Sequence, residues 1–284
     1  MRQLLSLLAT AAACYGALLA LLYVFQSRML YLPHIGGTGL AGKPADIGLA
    51  FEEVRLTTDD GVSLHGWFVP ASGPGGAPRR VVLHVHGNGG NISHRLDLIR
   101  VLHGLGVDVL LFDYRGYGRS EGHPSEDGTY RDARAAWDYL VERRGYAPGE
   151  IVLFGHSLGA AVAAELARHV RPAGIILESP FTSIADVASH HYWFVPARLL
   201  VRFRYATVEY VRDARAPVLV VHSRVDEVVP FEHGLEVFRN APEPKEFLEI
   251  EGDHNEGFLR SRRALLTGPA PLHRATRQRM IRGS

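Results

Sequence analysis

The chain has 284 residues, 46% of them hydrophobic, and its 31 Lys and Arg nearly balance 30 Asp and Glu. This is enough for one large domain with a buried core, and the near-neutral charge gives no general reason to expect nucleic acid as a partner. The single cysteine, Cys14, excludes a disulfide within the chain.

The N-terminus differs from the rest. Leu4 to Phe25 carries no charge, and at about 1.5 Å per residue this stretch crosses a hydrocarbon core of about 30 Å. Tyr15, Tyr23, Phe25 and Tyr31 supply interfacial aromatics, and Arg2 and Arg28 flank the span. The apolar run continues well past Ala11-Ala12-Ala13, which argues against a cleaved signal peptide. Residues 1–28 therefore read as an uncleaved single-pass membrane anchor. Arg2 and the α-amino group on one side face Arg28 and Lys43 on the other; within that near balance we read the folded domain as non-cytoplasmic. Residues 29–50 read as a linker, exposed from about Gly36 to Gly48.

Next comes a strand pair, Phe51 to Thr58 and Val62 to Pro70, turned by Asp59-Asp60-Gly61. Alternation follows: strand 80–86, helix 92–105, strand 107–112, helix 126–144, strand 150–155, helix 158–170 and strand 174–177. Two more strands read from Pro217 to His222 and from Glu246 to Ile250. Short, wholly apolar strands alternating with helices imply an α/β fold, a mainly parallel, doubly wound sheet covered on both faces. The domain reads as 51–265. Residues 181–215 interrupt the alternation and are rich in aromatics, including Phe181, Tyr192, Trp193, Phe194, Phe203, Tyr205 and Tyr210. We read them as a small helical lid, its rings either walling an acyl site or forming the lid's own core. After Glu256 there is no Asp or Glu but arginines recur. The early part reads as a closing helix, and 266–284 as a disordered basic tail, either solvated or resting on anionic lipid.

Gly155-His156-Ser157-Leu158-Gly159 sits where an apolar strand runs into an alanine-rich helix. That context holds a serine on a sharp corner with its hydroxyl exposed. Gly118-Arg119-Ser120-Glu121-Gly122 has the same spacing, but Gly122-His123-Pro124 follows, so no helix starts there and Ser120 reads as a loop residue. A serine nucleophile needs a histidine to take its proton and an acid to orient that histidine. In the chain order Ser, acid, His, the acid is Asp226, just past a strand end, with Glu227 as fallback. The base is His254, chosen from 15 histidines because it follows the last strand on a glycine-bracketed loop; Asp253 is too close in sequence to orient its ring. The oxyanion donors are the N–H of Leu158 and that of Asn88 in Gly87-Asn88-Gly89-Gly90-Asn91, with Gly89 as the alternative. Asn91-Ile92-Ser93 is an Asn-x-Ser sequon, read as a helix cap. His190-His191 has no companion carboxylate or histidine at ligand spacing, so no metal is expected.

Together with Asp113-Tyr114-Arg115-Gly116-Tyr117-Gly118 and Glu178-Ser179-Pro180-Phe181, these stretches resemble the α/β-hydrolase superfamily. Within it, the chain is similar to the membrane-anchored, serine aminopeptidase-like hydrolases related to protein depalmitoylases, from about Leu21 to Phe258. The cysteine-rich N-terminus usual in those depalmitoylases is missing. The resemblance implies a cofactor-free serine hydrolase of the carboxylesterase or thioesterase type, acting on small-molecule or lipid-like acyl substrates. Peptidase or acyltransferase chemistry on the same triad, and a non-catalytic binding protein on the same fold, are the alternatives.

Overall fold

The computed structural model describes residues 1–37, 39–71 and 80–257. Its first element, α1 (Arg2–Leu30), is one continuous helix with no buried residue. The sequence there is mainly Leu and Ala, both strong helix formers. The helix stops where Tyr31 turns extended and its N–H bonds Ser27 O.

Among the described residues, eight strands form one sheet, β1 (Glu52–Thr57), β2 (Ser63–Val69), β3 (Val81–Val85), β4 (Asp108–Phe112), β5 (Ile151–His156), β6 (Gly174–Glu178), β7 (Val218–Ser223) and β8 (Lys245–Ile250). Their spatial order is β1-β2-β4-β3-β5-β6-β7-β8. Only β2 opposes its neighbours, pairing antiparallel with β1 and β4; every other pairing is parallel. The β1–β2 turn closes at Gly61, whose φ of 82° suits a residue without Cβ. Strands β3, β5, β6 and β7 are buried at every position, as expected for a sheet covered on both faces.

The two-residue period of the strands divides the core in two. Val81, Leu83 and Val85 pack with α3 (Glu126–Asp138) and α4 (Leu158–Ala167). Val82, Val109, Leu111 and Val152 face the other way, onto Ile99 and Leu102 of α2 (Leu96–Gly104). α4 is alanine-rich with every residue but Glu165 buried, because a helix this close to the sheet has room only for small side chains.

Boundaries depart from the sequence reading where local hydrogen bonds intervene. The helix expected over 92–105 opens as a 3-10 turn, Ile92–Arg95, because the Asn91 side chain accepts the Ser93 N–H. Asn91 is thus a buried cap, as the sequon was read. The helix expected over 126–144 is regular to Asp138 and then widens into a π turn, Tyr139–Arg143. The stretch read as an exposed linker is pinned to the body: Pro44 is buried, Leu40 and Leu49 pack on the α2 face, and Ala41 N–H bonds Ser93 Oγ. The expected closing helix and basic tail lie outside the described residues.

Between β6 and β7 the chain forms α5 (Ile184–His191), α6 (Ala197–Leu200) and α7 (Thr207–Arg212); α8 (Phe231–Asn240) follows β7. The inserted segment lies against α1. Tyr15 donates to Phe194 O at 2.7 Å, Gln26 Nε2 donates to Leu200 O at 2.9 Å, and Gln26 Oε1 accepts Arg202 N–H at 2.9 Å. At the helix end, Tyr31 and Tyr205 share a buried hydroxyl pair at 2.8 Å.

The loop after β4 is fixed by ions. Arg115 donates to Asp132 Oδ1 at 2.9 Å and grips Asp60 with both terminal nitrogens, at 2.8 and 3.0 Å. It thereby ties the β1–β2 turn to α3. Ser120, in that loop, donates to Asp113 O and accepts His65 N–H, so it is a loop residue as expected. Asp132 is fully buried, and burial pushes its carboxyl up to about 6 even with Arg115 beside it. Removing the guanidinium leaves this carboxyl without its counter-ion. Arg115→Met should therefore lose about 3–5 kcal/mol of stability, read as a lower urea midpoint; an unchanged midpoint would contradict the pairing.

Candidate active site

The β5–α4 corner is a tight joint. Ser157 adopts φ 54° and ψ −116°, a conformation costing a non-glycine residue roughly 1–3 kcal/mol. Its N–H bonds Glu178 O at 2.9 Å. The flanking glycines allow the approach: a Cβ on Gly159 would lie 1.9 Å from Val85 O, and one on Gly155 would lie 2.2 Å from Gly159 O. The corner thrusts the serine hydroxyl above the carboxyl edge of the sheet, the side on which ligands of such sheets bind.

The loops after β7 and β8 reach the same place. His254 Nε2 lies 3.0 Å from Ser157 Oγ, and its Nδ1 donates to Asp226 at 2.8 and 2.9 Å. All three residues are at most 9% exposed. Asp226 Oδ1 also accepts the N–H groups of Val228 and Val229. Burial alone raises the Asp226 carboxyl, but His222, His254 and the Val229 N–H together outweigh it and hold it well below the usual carboxylate range. An ionised Asp226 fixes the tautomer with Nδ1 protonated, leaving Nε2 free to accept from the serine.

The sequence reading missed the supports of His254. Glu227, considered only as a substitute acid, accepts the His254 backbone N–H at 3.1 Å. His156 donates from Nε2 to His254 O at 3.0 Å. Asp253 instead caps its own turn through Asn255 and Glu256 N–H. Glu227 and His156 are sequence neighbours of Asp226 and Ser157, and adjacency was the only signal available for them.

Leu158 is the first residue of α4, so its N–H has no carbonyl one turn behind it. The loop bearing Asn88 is clamped: the Tyr117 hydroxyl and the Leu32 N–H both donate to Asn88 O, and Asn88 Nδ2 donates to Leu30 O. Asn88, Ser157 and Leu158 together floor a cavity of about 310 Å³. Phe181, Ile184, Val187 and Phe203 wall it from the inserted segment, and Leu22, Gln26, Met29 and Leu30 wall it from α1. The aromatics of 181–215 thus divide between both expectations. Phe181, Tyr192 and Phe203 line the cavity, Tyr205 and Tyr210 pack inward, and Trp193 is exposed. His191 donates to Val228 O and His190 stacks on it edge-on.

The family model described as serine aminopeptidase, S33, matches residues 76–205. The chain is 39% identical to the uncharacterized protein Rv2307c of Mycobacterium tuberculosis, over 92% of each. It is 36% identical to the alpha/beta hydrolase domain-containing protein WAV2 of Arabidopsis thaliana, over 74% of each. It is 38% identical to the lysophosphatidylserine lipase ABHD12 of Danio rerio, over 58% of this chain and 48% of that protein. Among solved structures, the Pyrococcus furiosus esterase Pf2001 superposes with a TM-score of 0.65 at 21% identity, over 87% of this chain and 96% of that one.

Three histidines beneath the site are held neutral. Burial pulls His86 down to about 4 and His156 down to about 3, and it pulls His84 well below the ordinary value. An unfolded histidine titrates near 6.5. Below that pH the unfolded chain binds protons that the native chain refuses, so stability is full above about 6.5 and falls toward the native values. Asp132, raised to about 6, works in the opposite direction as pH falls but is one group against three. Between pH 6.5 and 5 the net loss should be on the order of 3–5 kcal/mol, seen as a falling melting temperature; a flat or rising one would show that these imidazoles are not buried neutral.

Proposed function

This chain belongs to the α/β-hydrolase superfamily and is a hydrolase, and we propose that it cleaves ester or thioester bonds of lipid-like acyl substrates through Ser157, His254 and Asp226. The observation that carries the reading is the continuous hydrogen-bond line from Ser157 Oγ through His254 to Asp226. Along that line His254 Nε2 takes the serine proton as Oγ attacks the acyl carbonyl, and Asp226 stabilises the imidazolium. The N–H groups of Leu158 and Asn88 receive the developing oxyanion, aided by the N-terminal end of α4. His254 then returns the proton to the leaving alcohol or thiol. Water, activated by the same imidazole, attacks the acyl carbon and frees Ser157.

The cavity favours acyl chains over peptides. Its lining is largely aliphatic and aromatic, and among the described residues lining it there is no carboxylate to receive the ammonium of a peptide N-terminus. A volume of about 310 Å³ is at the small end of ligand pockets and suits an acyl group more than a folded partner. We read α1 as the single-pass membrane anchor, with the hydrolase domain on the non-cytoplasmic side. Its length and its uncharged run from Leu4 to Phe25 support that reading.

Ser157→Ala and Asp226→Asn should each lower kcat on p-nitrophenyl and acyl-thioester substrates by about 10³-fold or more. KM should change little, and the melting curve of Ser157→Ala should too. Full turnover in Ser157→Ala would refute the assignment.

A further inference from the structure

The helix read as an anchor is also a wall of the candidate site, and this constrains where the inserted segment sits. Tyr15, Leu22, Gln26 and Met29 fall on one stripe of α1 at spacings of seven, four and three residues. Along this stripe the helix holds Phe194 and Leu200 by hydrogen bonds and borders the cavity. From Phe25, the last apolar residue of the uncharged run, back to Tyr15 is about 15 Å of helix. That is half of a hydrocarbon core of about 30 Å. A segment bonded to α1 at Tyr15 cannot stay above a membrane that α1 crosses.

The side chains of that segment agree. Trp193 is 84% exposed and Leu199 86% exposed, with Tyr192 and Phe194 beside them also exposed. Charges lie nearer the other end of the stripe: the Arg202 guanidinium sits 4.9 Å from the Tyr23 ring, and that of Arg28 sits 5.5 Å from Phe25. This is the layering of an interface, with cations and aromatics at headgroup depth and apolar side chains below. Arg198, next to Leu199, is tied back to Asp186, and its long stem lets the charge rise toward the headgroups.

We propose that the Trp193–Leu199 face is immersed in the hydrocarbon of the leaflet that α1 enters, and that the Ser157 cavity fills sideways from that leaflet. The occupant of the exposed face is lipid acyl chain, continuous with the lipid around α1. The acyl group of the substrate slides between α1 and the inserted segment without crossing water. This inference rests on reading α1 as an anchor and the substrate as acyl.

Tryptophan fluorescence tests it on the full chain. The protein has three tryptophans; Trp67 is 0% and Trp137 4% exposed, so Trp193 alone reports the face. In phosphatidylcholine vesicles brominated at mid-chain, emission should be quenched, acrylamide should lose access, and Trp193→Phe should abolish the quenched component. Protein that floats with the vesicles while Trp193 remains open to acrylamide and untouched by bromine overturns the immersion and leaves the anchor reading standing. Protein that does not float overturns the anchor, and the inference with it. Trp193→Ser with Leu199→Ser should lower turnover of p-nitrophenyl palmitate dissolved in vesicles at least fivefold while sparing soluble p-nitrophenyl acetate. Equal loss on both substrates would also count against lateral filling.

Discussion

The left-handed backbone at Ser157 is the constraint from which the site is built. It requires a strand and a helix closer than any side chain permits, hence Gly155, Gly159 and an alanine-rich α4. The strain of a non-glycine residue at φ 54° is borne by the surrounding sheet: β5 is central, paired on both sides, and buried throughout. Because β6, β7 and β8 run parallel to it, their following loops emerge at the same edge. The Glu178 carbonyl at the end of β6 accepts the Ser157 N–H, and the loops after β7 and β8 deliver Asp226 and His254. Parallel topology thus brings together residues almost a hundred positions apart.

His254 is held by more than Asp226. Asp226 grips the ring, Glu227 the backbone N–H and His156 the carbonyl of His254. A histidine on a terminal loop would otherwise sample many orientations, and each misplacement lengthens the contact to Ser157 Oγ. Holding the loop at both backbone groups fixes the imidazole, which is the preorganisation that the proposed mechanism requires.

Much of this was legible in the sequence, for physical reasons that vary by residue. Val81, Leu153 and Val220 sit in runs too apolar for anything but a doubly covered sheet, and Gly155-x-Ser157-x-Gly159 demands a corner whose sterics exclude other residues. Asp226 and His254 were readable because strand ends were. What was not readable depends on contacts between distant segments. The capping of a 3-10 turn by Asn91 is local, yet its burial depends on Gly39 O, which accepts from its amide. Gln26, just past the uncharged run, bridges Leu200 and Arg202. The sorting of the 181–215 aromatics into cavity, core and surface depended on where α1 lies. A single chain carries no pattern for that, because helix and segment meet only in the fold.

The central claim is that Ser157 is an activated nucleophile, and the most direct measurement is covalent capture. Detergent-solubilised full-length protein would be treated with a fluorophosphonate, digested, and the adduct located by mass spectrometry. The account predicts one adduct, on the peptide containing Ser157, with labelling suppressed in His254→Ala. An adduct on Ser120, or folded protein that takes no label at all, would contradict it.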